Sequence, residues 1–247
     1  MLNLLNDHRT VRKYTSEKIN PDLLNQLLES ACRASNTGNM QAYSVVVTTD
    51  ELLKKQLAPA HFNQPMVVQA PAILTFCADF NRFSTWCEQR QAEPGYDNFQ
   101  SFMAAAIDAL IAAQTFCIAA ESVGLGICYL GTTTYNAQEI IQALKLPKLV
   151  IPVTAITVGY PEVLPEQTDR LPLNGLIHHE VYKEYDANEI DRIYAEKESS
   201  DFYKQFVKEN NKETLAQVFT DIRYSKKNNE FFSDKFLKAL KEQGFLQ

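Results

Sequence analysis

The hydrophobic pattern of this chain switches repeatedly between helical spacing and short, unbroken apolar runs. A helix is predicted from Pro21, with Asn20 as its cap and leucines on one face up to Ala31. Four apolar runs have the length of buried strands, at residues 43–49, 71–78, 127–131 and 151–159. The pattern therefore predicts a small sheet combined with helices.

Two further helices are predicted between these runs. Asp50 is expected to cap a helix that continues through Leu57. Asn136 is expected to open, as a variant of the capping box, a helix that ends near Leu146. Residues 79–95 mix polar and aromatic side chains without a clear period, so this segment is predicted to be irregular.

The most hydrophobic stretch runs over residues 99–125 and is long enough to cross a bilayer. Asp108, Gln114 and Glu121 nevertheless recur inside it at roughly helical spacing, and such residues are costly in lipid. We therefore expect a buried core helix over about residues 97–123, and no interaction with a membrane.

The last part of the chain differs in composition. Residues 181–247 carry 12 of the 24 Lys and Arg residues and 13 of the 30 Asp and Glu residues, with aromatic side chains and leucines between them at helical intervals. The sequence therefore predicts a core over residues 1–180 and a helical extension over residues 181–247. The extension is expected to pack on the same domain or on a dimer partner.

Length and composition narrow the class of protein. The chain has 247 residues, 45% of them hydrophobic, which is enough for one packed core with additions. Its start lacks a basic leader followed by an apolar run, and its five cysteines lack Cys-x-x-Cys spacing, so we expect reduced thiols in a cytoplasm. His178-His179-Glu180 has no third ligand at a recognisable interval, so no metal site is expected.

The segment His8-Arg9-Thr10-Val11-Arg12 concentrates groups that bind anions. Arginine can grip a phosphate with two hydrogen bonds, while His and Thr add directional ones. Because the formal net charge is −6, the segment points to a small phosphorylated ligand and not to nucleic acid. The alternative is an ordinary solvated surface near a terminus.

The sequence lacks the motifs by which side chains would carry out the chemistry themselves. No Gly-x-Gly-x-x-Gly, no Gly-x-x-x-x-Gly-Lys-Ser/Thr and no Gly-x-Ser-x-Gly occurs. This absence fits a protein whose bound cofactor reacts while the chain supplies binding and orientation.

Four polar segments follow the first one, at residues 35–41, 61–64, 129–132 and 170–172. In this order they resemble the FMN-dependent nitroreductase family, and within it the long-chain branch of NADPH nitroreductases and flavin reductases. The resemblance implies an α+β, nitroreductase-like fold: a central mixed sheet flanked by helices around a long buried helix, with a C-terminal helical extension.

The resemblance also implies the residues that bind FMN. The opening segment matches the family's His-Arg-Ser-x-Arg, which holds the phosphate, the ribityl chain and one edge of the ring. The Ser35–Gln41 loop resembles an element that reaches FMN from the other subunit, and the Tyr129–Gly131 backbone resembles the stretch that passes close to the ring. The expected FMN-binding residues are His8, Arg9, Thr10, Arg12, Ser35, Asn36, Thr37, Asn39, Gln41, Gln64, Tyr129, Leu130, Gly131 and Arg170.

One departure from the family lies beside Arg170. The family has Lys-Pro-Arg at this place, whereas this chain has Thr168-Asp169-Arg170. One expected cation is therefore missing and an acid is present, so either phosphate affinity is lower or another cation substitutes.

By its resemblance, the chain is expected to be an FMN-dependent NAD(P)H oxidoreductase. The family reduces nitroaromatics, quinones or free flavins by ping-pong, two-electron hydride transfer, and acts as a homodimer. NADPH is the expected donor, with appreciable NADH use, and Lys208 and Lys212 are the expected contacts of its 2′-phosphate. Each of these lysines has a glutamate beside it, at positions 209 and 213, which should weaken the preference.

Two other interpretations stay open at this point. A chain that kept the pocket but lost access for the donor would be a non-catalytic flavin-binding carrier or sensor. If the basic start is only a solvated surface, the chain is a helical interaction module. The sequence does not name the physiological electron acceptor.

Overall fold

The computed structural model describes residues 1–246, and its sheet has four strands. The strand order is β1-β2-β4-β3, with each neighbouring pair antiparallel. The strands are β1 (Tyr43–Thr48), β2 (Ala72–Asp79), β3 (Gly126–Leu130) and β4 (Val150–Gly159). All four predicted strands are therefore confirmed.

The predicted mixed sheet needs one correction. The three strand pairs are antiparallel, and the parallel pairing that the described residues show is an isolated bridge between Thr10 and Ile127. An apolar run that predicts a strand carries no information on its direction, which depends on how the connecting helices return the chain.

Contacts divide the chain into two compact units. The first unit comprises Met1–Glu166 with the C-terminal residues from Phe232, and the second comprises Gln167–Phe231. The core and extension predicted from composition, 1–180 and 181–247, stay a prediction, since these units are defined by contacts alone.

Seven helices precede residue 166, and short 3₁₀ turns connect some of them. The helices are α1 (Leu2–Asn6), α2 (Pro21–Ala31), α3 (Glu51–Leu57), α4 (Pro65–Gln69), α5 (Asn81–Gln89), α6 (Phe99–Ser122) and α7 (Ala137–Leu144). The 3₁₀ turns are Thr37–Asn39 and Ala58–His61. Two of the predicted caps are confirmed, because Asn20 accepts from the Asp22 N–H and Asp50 from the Leu53 N–H, each at 2.8 Å.

Two predictions about helices are wrong. Residues 79–95 contain α5, because Phe80, Ser84 and Cys87 are buried at helical spacing while polar residues between them obscure the period. Asn136 precedes α7, but its side chain makes no cap hydrogen bond. Its Nδ2 donates instead to the Ala60 carbonyl at 2.8 Å, so a long-range contact replaces the local one.

Helix α6 is the centre of the core. Its fully buried positions are mostly alanine, which lets the helix lie close to the sheet, and Phe116 packs against Phe76 of β2 with ring centroids 6.3 Å apart. Within the described residues α6 is also the one helix long and apolar enough to cross a membrane. Half of that apolar window is buried inside the protein, as in a core helix.

The second unit is helical. It contains a 3₁₀ turn at Leu173–Gly175, then α8 (Ala187–Ser199), α9 (Asp201–Glu209), α10 (Leu215–Gln217) and a π-helix at Val218–Arg223. Asp186 and Glu189 form a capping box at the start of α8. Gly175 lies against this helix, since a Cβ there would stand 2.8 Å from Ile193 Cγ2. The last helix is α11 (Lys226–Gln243).

The C-terminal half of α11 is part of the core of the first unit. Leu240 and Phe245 are fully buried, and the Phe245 ring lies 5.7 Å from that of Phe102 in α6. Gln243 Nε2 donates to the Val150 carbonyl at 2.7 Å. The last residues described therefore help to close the core instead of forming a separate tail.

We predict that Leu240→Ala lowers the free energy of unfolding by about 2–5 kcal/mol, because it leaves a cavity in this core. Leu240 is 1% exposed, whereas Leu237, one turn earlier in α11, is 46% exposed and provides the matched control. Urea unfolding of both variants would test this. Equal losses from Leu240→Ala and Leu237→Ala would show that α11 does not contribute to the core.

Candidate functional site

The N-terminal segment His8–Arg12, predicted to bind an anion, lies against β3. Thr10 forms the bridge with Ile127, and the Val11 N–H donates to the Ile127 carbonyl at 2.9 Å. A Cβ at position 126 would lie 2.6 Å from the Val11 side chain, so only glycine permits this approach. Gly126 thus places the segment beside the strand that leads to Tyr129.

The polar side chains of the segment have different surroundings. His8 Nδ1 lies 2.6 Å from Glu121 Oε1 of α6, which orients the imidazole. Arg9 Nε is buried, and no acceptor among the described residues hydrogen-bonds to it. Burial raises the pKa of the Cys128 thiol, while the charge of Arg12 and a hydrogen bond with it oppose this rise. Arg12 thus lies close to Cys128 of β3.

A cavity of about 660 Å³ opens on one side of this segment. Its lining includes His8 and Arg9 together with Gly124–Gly126 at the end of α6 and the start of β3. Glu162 also lines it, and Glu121, already engaged by His8, does too. Arg9 lines this cavity and its Nε lacks an acceptor within the described part of the chain, which is consistent with an anion bound beside the guanidinium.

The turn that bears Gln64 is fastened to the segment after β3. His61 Nδ1 lies 2.9 Å from Thr132 Oγ1, and both side chains are buried. Phe62 and Asn63 adopt left-handed backbone conformations, with φ of 53° and 54°, immediately before Gln64. The turn at residues 61–64 and the residues that follow β3 therefore lie side by side.

In the predicted Tyr129–Gly131 stretch, Tyr129 and Gly131 are exposed. Leu130 is buried, whereas the Tyr129 hydroxyl donates to Gln114 Oε1 of α6 at 3.2 Å. A Cβ at Gly131 would meet nothing within 4 Å, so the space beside this residue is open. The protein itself does not require glycine here, which is consistent with a ligand that approaches the backbone.

The Ser35–Gln41 loop is held by another part of α6. Thr37 donates to Asp108 Oδ1 through its backbone N–H at 2.8 Å and through its hydroxyl at 3.0 Å. Asp108 and Glu121 are 13 positions apart in one helix, which corresponds to about 20 Å along its axis. The N-terminal segment and this loop are thus attached to α6 at separate places.

Arg170 lies in the second unit, where its guanidinium faces its own neighbours. Nη1 donates to Thr168 Oγ1 at 2.8 Å and to the Asp169 carbonyl at 2.9 Å. Asp169 accepts from Lys197 at 2.7 Å and from Tyr203 at 2.9 Å, and the hydrogen bond from Lys197 is the main cause of its lowered pKa. Asp169, the acid that departs from the family pattern, is therefore paired with Lys197.

The two lysines predicted for donor binding also lie in the second unit. Lys208 is exposed on α9, and Lys212 Nζ pairs with Asp221 Oδ2 at 2.7 Å. Glu213 was expected to offset the charge of Lys212, but the carboxylate that pairs with Lys212 belongs to Asp221, nine positions away in sequence. Chain neighbours at adjacent positions diverge in side-chain direction, whereas the π-helix brings Asp221 back.

Two acids that hold segments of the predicted site, Asp108 and Glu121, were not recognised as functional from sequence, and His61 was noted only as part of the segment at residues 61–64. The two acids were the polar interruptions of an apolar helix, and this was the signal available. The sequence did not show which segment each acid holds, because the partner of Asp108 lies 71 positions away and that of Glu121 lies 113 positions away. Among residues 1–246, no group of three His, Cys, Asp or Glu side chains is arranged to hold a metal ion.

Comparison with known proteins gives consistent results. Residues 5–160 match the model of the nitroreductase family. The chain is 30% identical over 245 residues to "FMN reductase (NADPH)" of Bacillus subtilis (strain 168), covering 97% of this chain and 95% of the relative. It is 36% identical over 184 residues to "FMN reductase [NAD(P)H]" of the same strain, covering 74% of each. A crystal structure from Bacteroides fragilis NCTC 9343 superposes with a TM-score of 0.98 at 59% identity, covering 99% of this chain and 100% of that one.

We predict that His61 makes stability depend on pH. Burial lowers the pKa of His61 from 6.5 to about 4, so between these values the unfolded chain binds a proton that the folded chain does not. Stability therefore falls as the pH drops from 6.5 to 4, by about 3 kcal/mol in total. Urea unfolding across this range should show a shallower slope for His61→Asn than for the exposed control His179→Asn. An unchanged slope in His61→Asn would contradict the assignment.

Proposed function

The chain belongs to the nitroreductase family, and from this premise we propose that it is an FMN-dependent oxidoreductase that takes electrons from NAD(P)H. The observation that carries the proposal is the N-terminal segment, whose Arg9 Nε is buried beside a cavity without an acceptor of its own. An anion supplied by a ligand would remove the cost of that unsatisfied donor. The two reductases of Bacillus subtilis named above use FMN and NAD(P)H by their names.

The residues present fit FMN. Arg9 and Arg12 would hold its phosphate. Thr10 and His8 would bind the ribityl chain and the nearby edge of the ring, and Glu121 would keep the imidazole oriented.

The far end of the flavin would lie along the edge formed by Gln64 and the Tyr129–Gly131 backbone. His61 joins these two segments through Thr132, so a ring that contacts one would contact the other. When bound, FMN would supply two-electron, hydride-transfer chemistry between the donor and an acceptor. The chain contributes binding, orientation and the exclusion of water.

A second copy of the chain would complete the site. Ser35, Asn36, Thr37, Asn39 and Gln41 would approach FMN from that copy, since this loop and the N-terminal segment are attached to α6 about 20 Å apart. Helix α6 also exposes an apolar stripe at helical spacing that the fold itself leaves uncovered. The stripe consists of Phe99, Met103, Ile107, Leu110 and Ile111. We therefore assign the stripe to a homodimer interface.

The proposed acceptors are small planar electrophiles, namely nitroaromatics, quinones or free flavins, which would follow the donor by a ping-pong scheme. The proposed location is the cytoplasm. The alternative, a flavin-binding carrier or sensor, shares the pocket but not the turnover, and the first experiment below separates the two.

We predict that the protein binds FMN and that NADPH bleaches the bound flavin under anaerobic conditions, with colour restored by a quinone. Arg9→Ala should raise the FMN dissociation constant about 10- to 100-fold, because a hydrogen bond to a charged group is lost. Arg33→Ala, which removes an exposed arginine, is the control.

The possible results separate three cases. FMN binding without reduction by NADPH or NADH would favour the carrier. A protein that does not bind FMN would overturn the proposal itself. Equal affinities in Arg9→Ala and Arg33→Ala would refute only the role of Arg9.

We predict a dimer of twice the 28.0 kDa chain, about 56 kDa by light scattering. Ile107→Glu should shift it to the monomer, because a charge would be buried in the apolar stripe. Leu52→Glu places the same charge on an exposed leucine of α3 and should leave the dimer intact. A monomeric wild-type protein at micromolar concentration would contradict the prediction.

We predict that NADPH is preferred over NADH and that Lys208→Ala combined with Lys212→Ala lowers this preference about 5- to 150-fold. Asp221→Asn should act in the opposite direction, since it releases Lys212 from its ion pair. The ratio of kcat/KM values for the two donors is the readout. If neither change alters the ratio, these lysines do not contact the 2′-phosphate.

A further inference from the structure

Asp108 is a buried acid in the middle of an apolar helix. It is 1% exposed, and none of the ion pairs found among the described residues includes it. A carboxylate buried without a cation is costly unless hydrogen-bond donors surround it. The hydrogen-bond donors around Asp108 therefore indicate which part of the chain it holds in place.

These donors come from both ends of one loop. Asp108 Oδ1 accepts from the backbone N–H and the hydroxyl of Thr37, at 2.8 and 3.0 Å. Asp108 Oδ2 accepts a longer bond, 3.4 Å, from the N–H of Ala42. One carboxylate thus holds the start and the end of the segment between residues 37 and 42.

The segment between these anchors has an unfavourable backbone. Gly38, Asn39 and Gln41 all have left-handed conformations, with φ of 56°, 57° and 52°. Residues other than glycine rarely adopt such φ values, so the loop keeps this conformation only if the residues around it enforce it. Within the loop, the Gln41 N–H donates to Asn36 Oδ1 at 3.2 Å.

A second residue supports the loop from the other side. Arg82, in the first turn of α5, donates through Nη2 to the carbonyl of Gln41 and, at 3.5 Å, to that of Tyr43. Its own N–H donates to Asp79 Oδ1 at 3.2 Å, which fixes the start of α5. Asn39 and Gln41 are exposed between these supports, so their side chains are available to a ligand or a second copy.

We propose that Asp108 is a positioning residue for the cofactor, because it holds the Thr37–Ala42 segment in the conformation that presents Asn39 and Gln41. It acts through the loop and does not touch the ligand. The inference rests on the proposed function, in which this loop binds FMN held by the other copy. Without the carboxylate, only a fraction of molecules would have the loop in the binding conformation, and the apparent affinity would fall by that fraction.

The test compares Asp108→Ala and Asp108→Asn with Ser101→Ala, which removes another buried polar side chain of α6, one that hydrogen-bonds to Asn98 instead of to the loop. Hydrogen exchange over residues 36–42 measures the loop, and FMN titration measures the site. Asp108→Ala should speed exchange in this segment and raise the FMN dissociation constant about 10- to 100-fold. Asp108→Asn keeps an acceptor for Thr37 and should restore part of the affinity, while Ser101→Ala should match the wild type.

The outcomes distinguish this inference from the proposed function. Unchanged exchange in Asp108→Ala would overturn the inference, and so would faster exchange with unchanged FMN affinity. Failure of the wild-type protein to bind FMN would instead overturn the proposed function. If Asp108→Ala does not fold, two milder variants give the same comparison: Asp108→Asn, and Thr37→Val, which removes only the hydroxyl hydrogen bond. If both variants bind FMN as tightly as the wild type does, the inference is refuted.

Discussion

The packing of α6 against the sheet is the interaction on which the rest of this structure depends. Its alanines allow the helix to lie close to β2 and β4, and its residues belong to two of the three buried clusters that form the core. The same helix carries two acids that it does not need for packing. Because one face of α6 is packed in the core, whatever Asp108 and Glu121 hold is fixed relative to the sheet.

The two acids of α6 hold two different segments, the N-terminal segment and the Ser35–Gln41 loop. Glu121 orients the N-terminal segment, which Gly126 allows to lie against β3. Asp108 holds a loop whose backbone is unfavourable by itself. The buried core thus supplies the free energy that keeps polar groups in costly arrangements: a buried donor without an acceptor at Arg9 and a strained loop at residues 38–41. A cofactor that engages both recovers part of this cost.

The sequence predicted the elements whose signals are local. The cap at Asn20, the apolar runs of the strands and the long core helix follow from neighbouring residues, and the structure confirms them. The family and its cofactors could also be predicted, because the polar segments occur in a recognisable order. What could not be predicted depends on distant contacts: Asn136 bonds to Ala60 instead of capping α7, and Lys212 finds Asp221 instead of a neighbouring acid. The roles of the individual site residues stay predictions.

The central claim is that one FMN site is built from the N-terminal segment of one copy and the Ser35–Gln41 loop of another. A mixed dimer tests it most directly, with Arg9→Ala in one subunit and Asn39→Ala with Gln41→Ala in the other. In this dimer one site has both altered parts and the other has neither. At an FMN concentration at which neither parent variant binds, the account predicts one FMN per mixed dimer. No FMN in the mixed dimer would contradict it, because each site would then lie within a single chain.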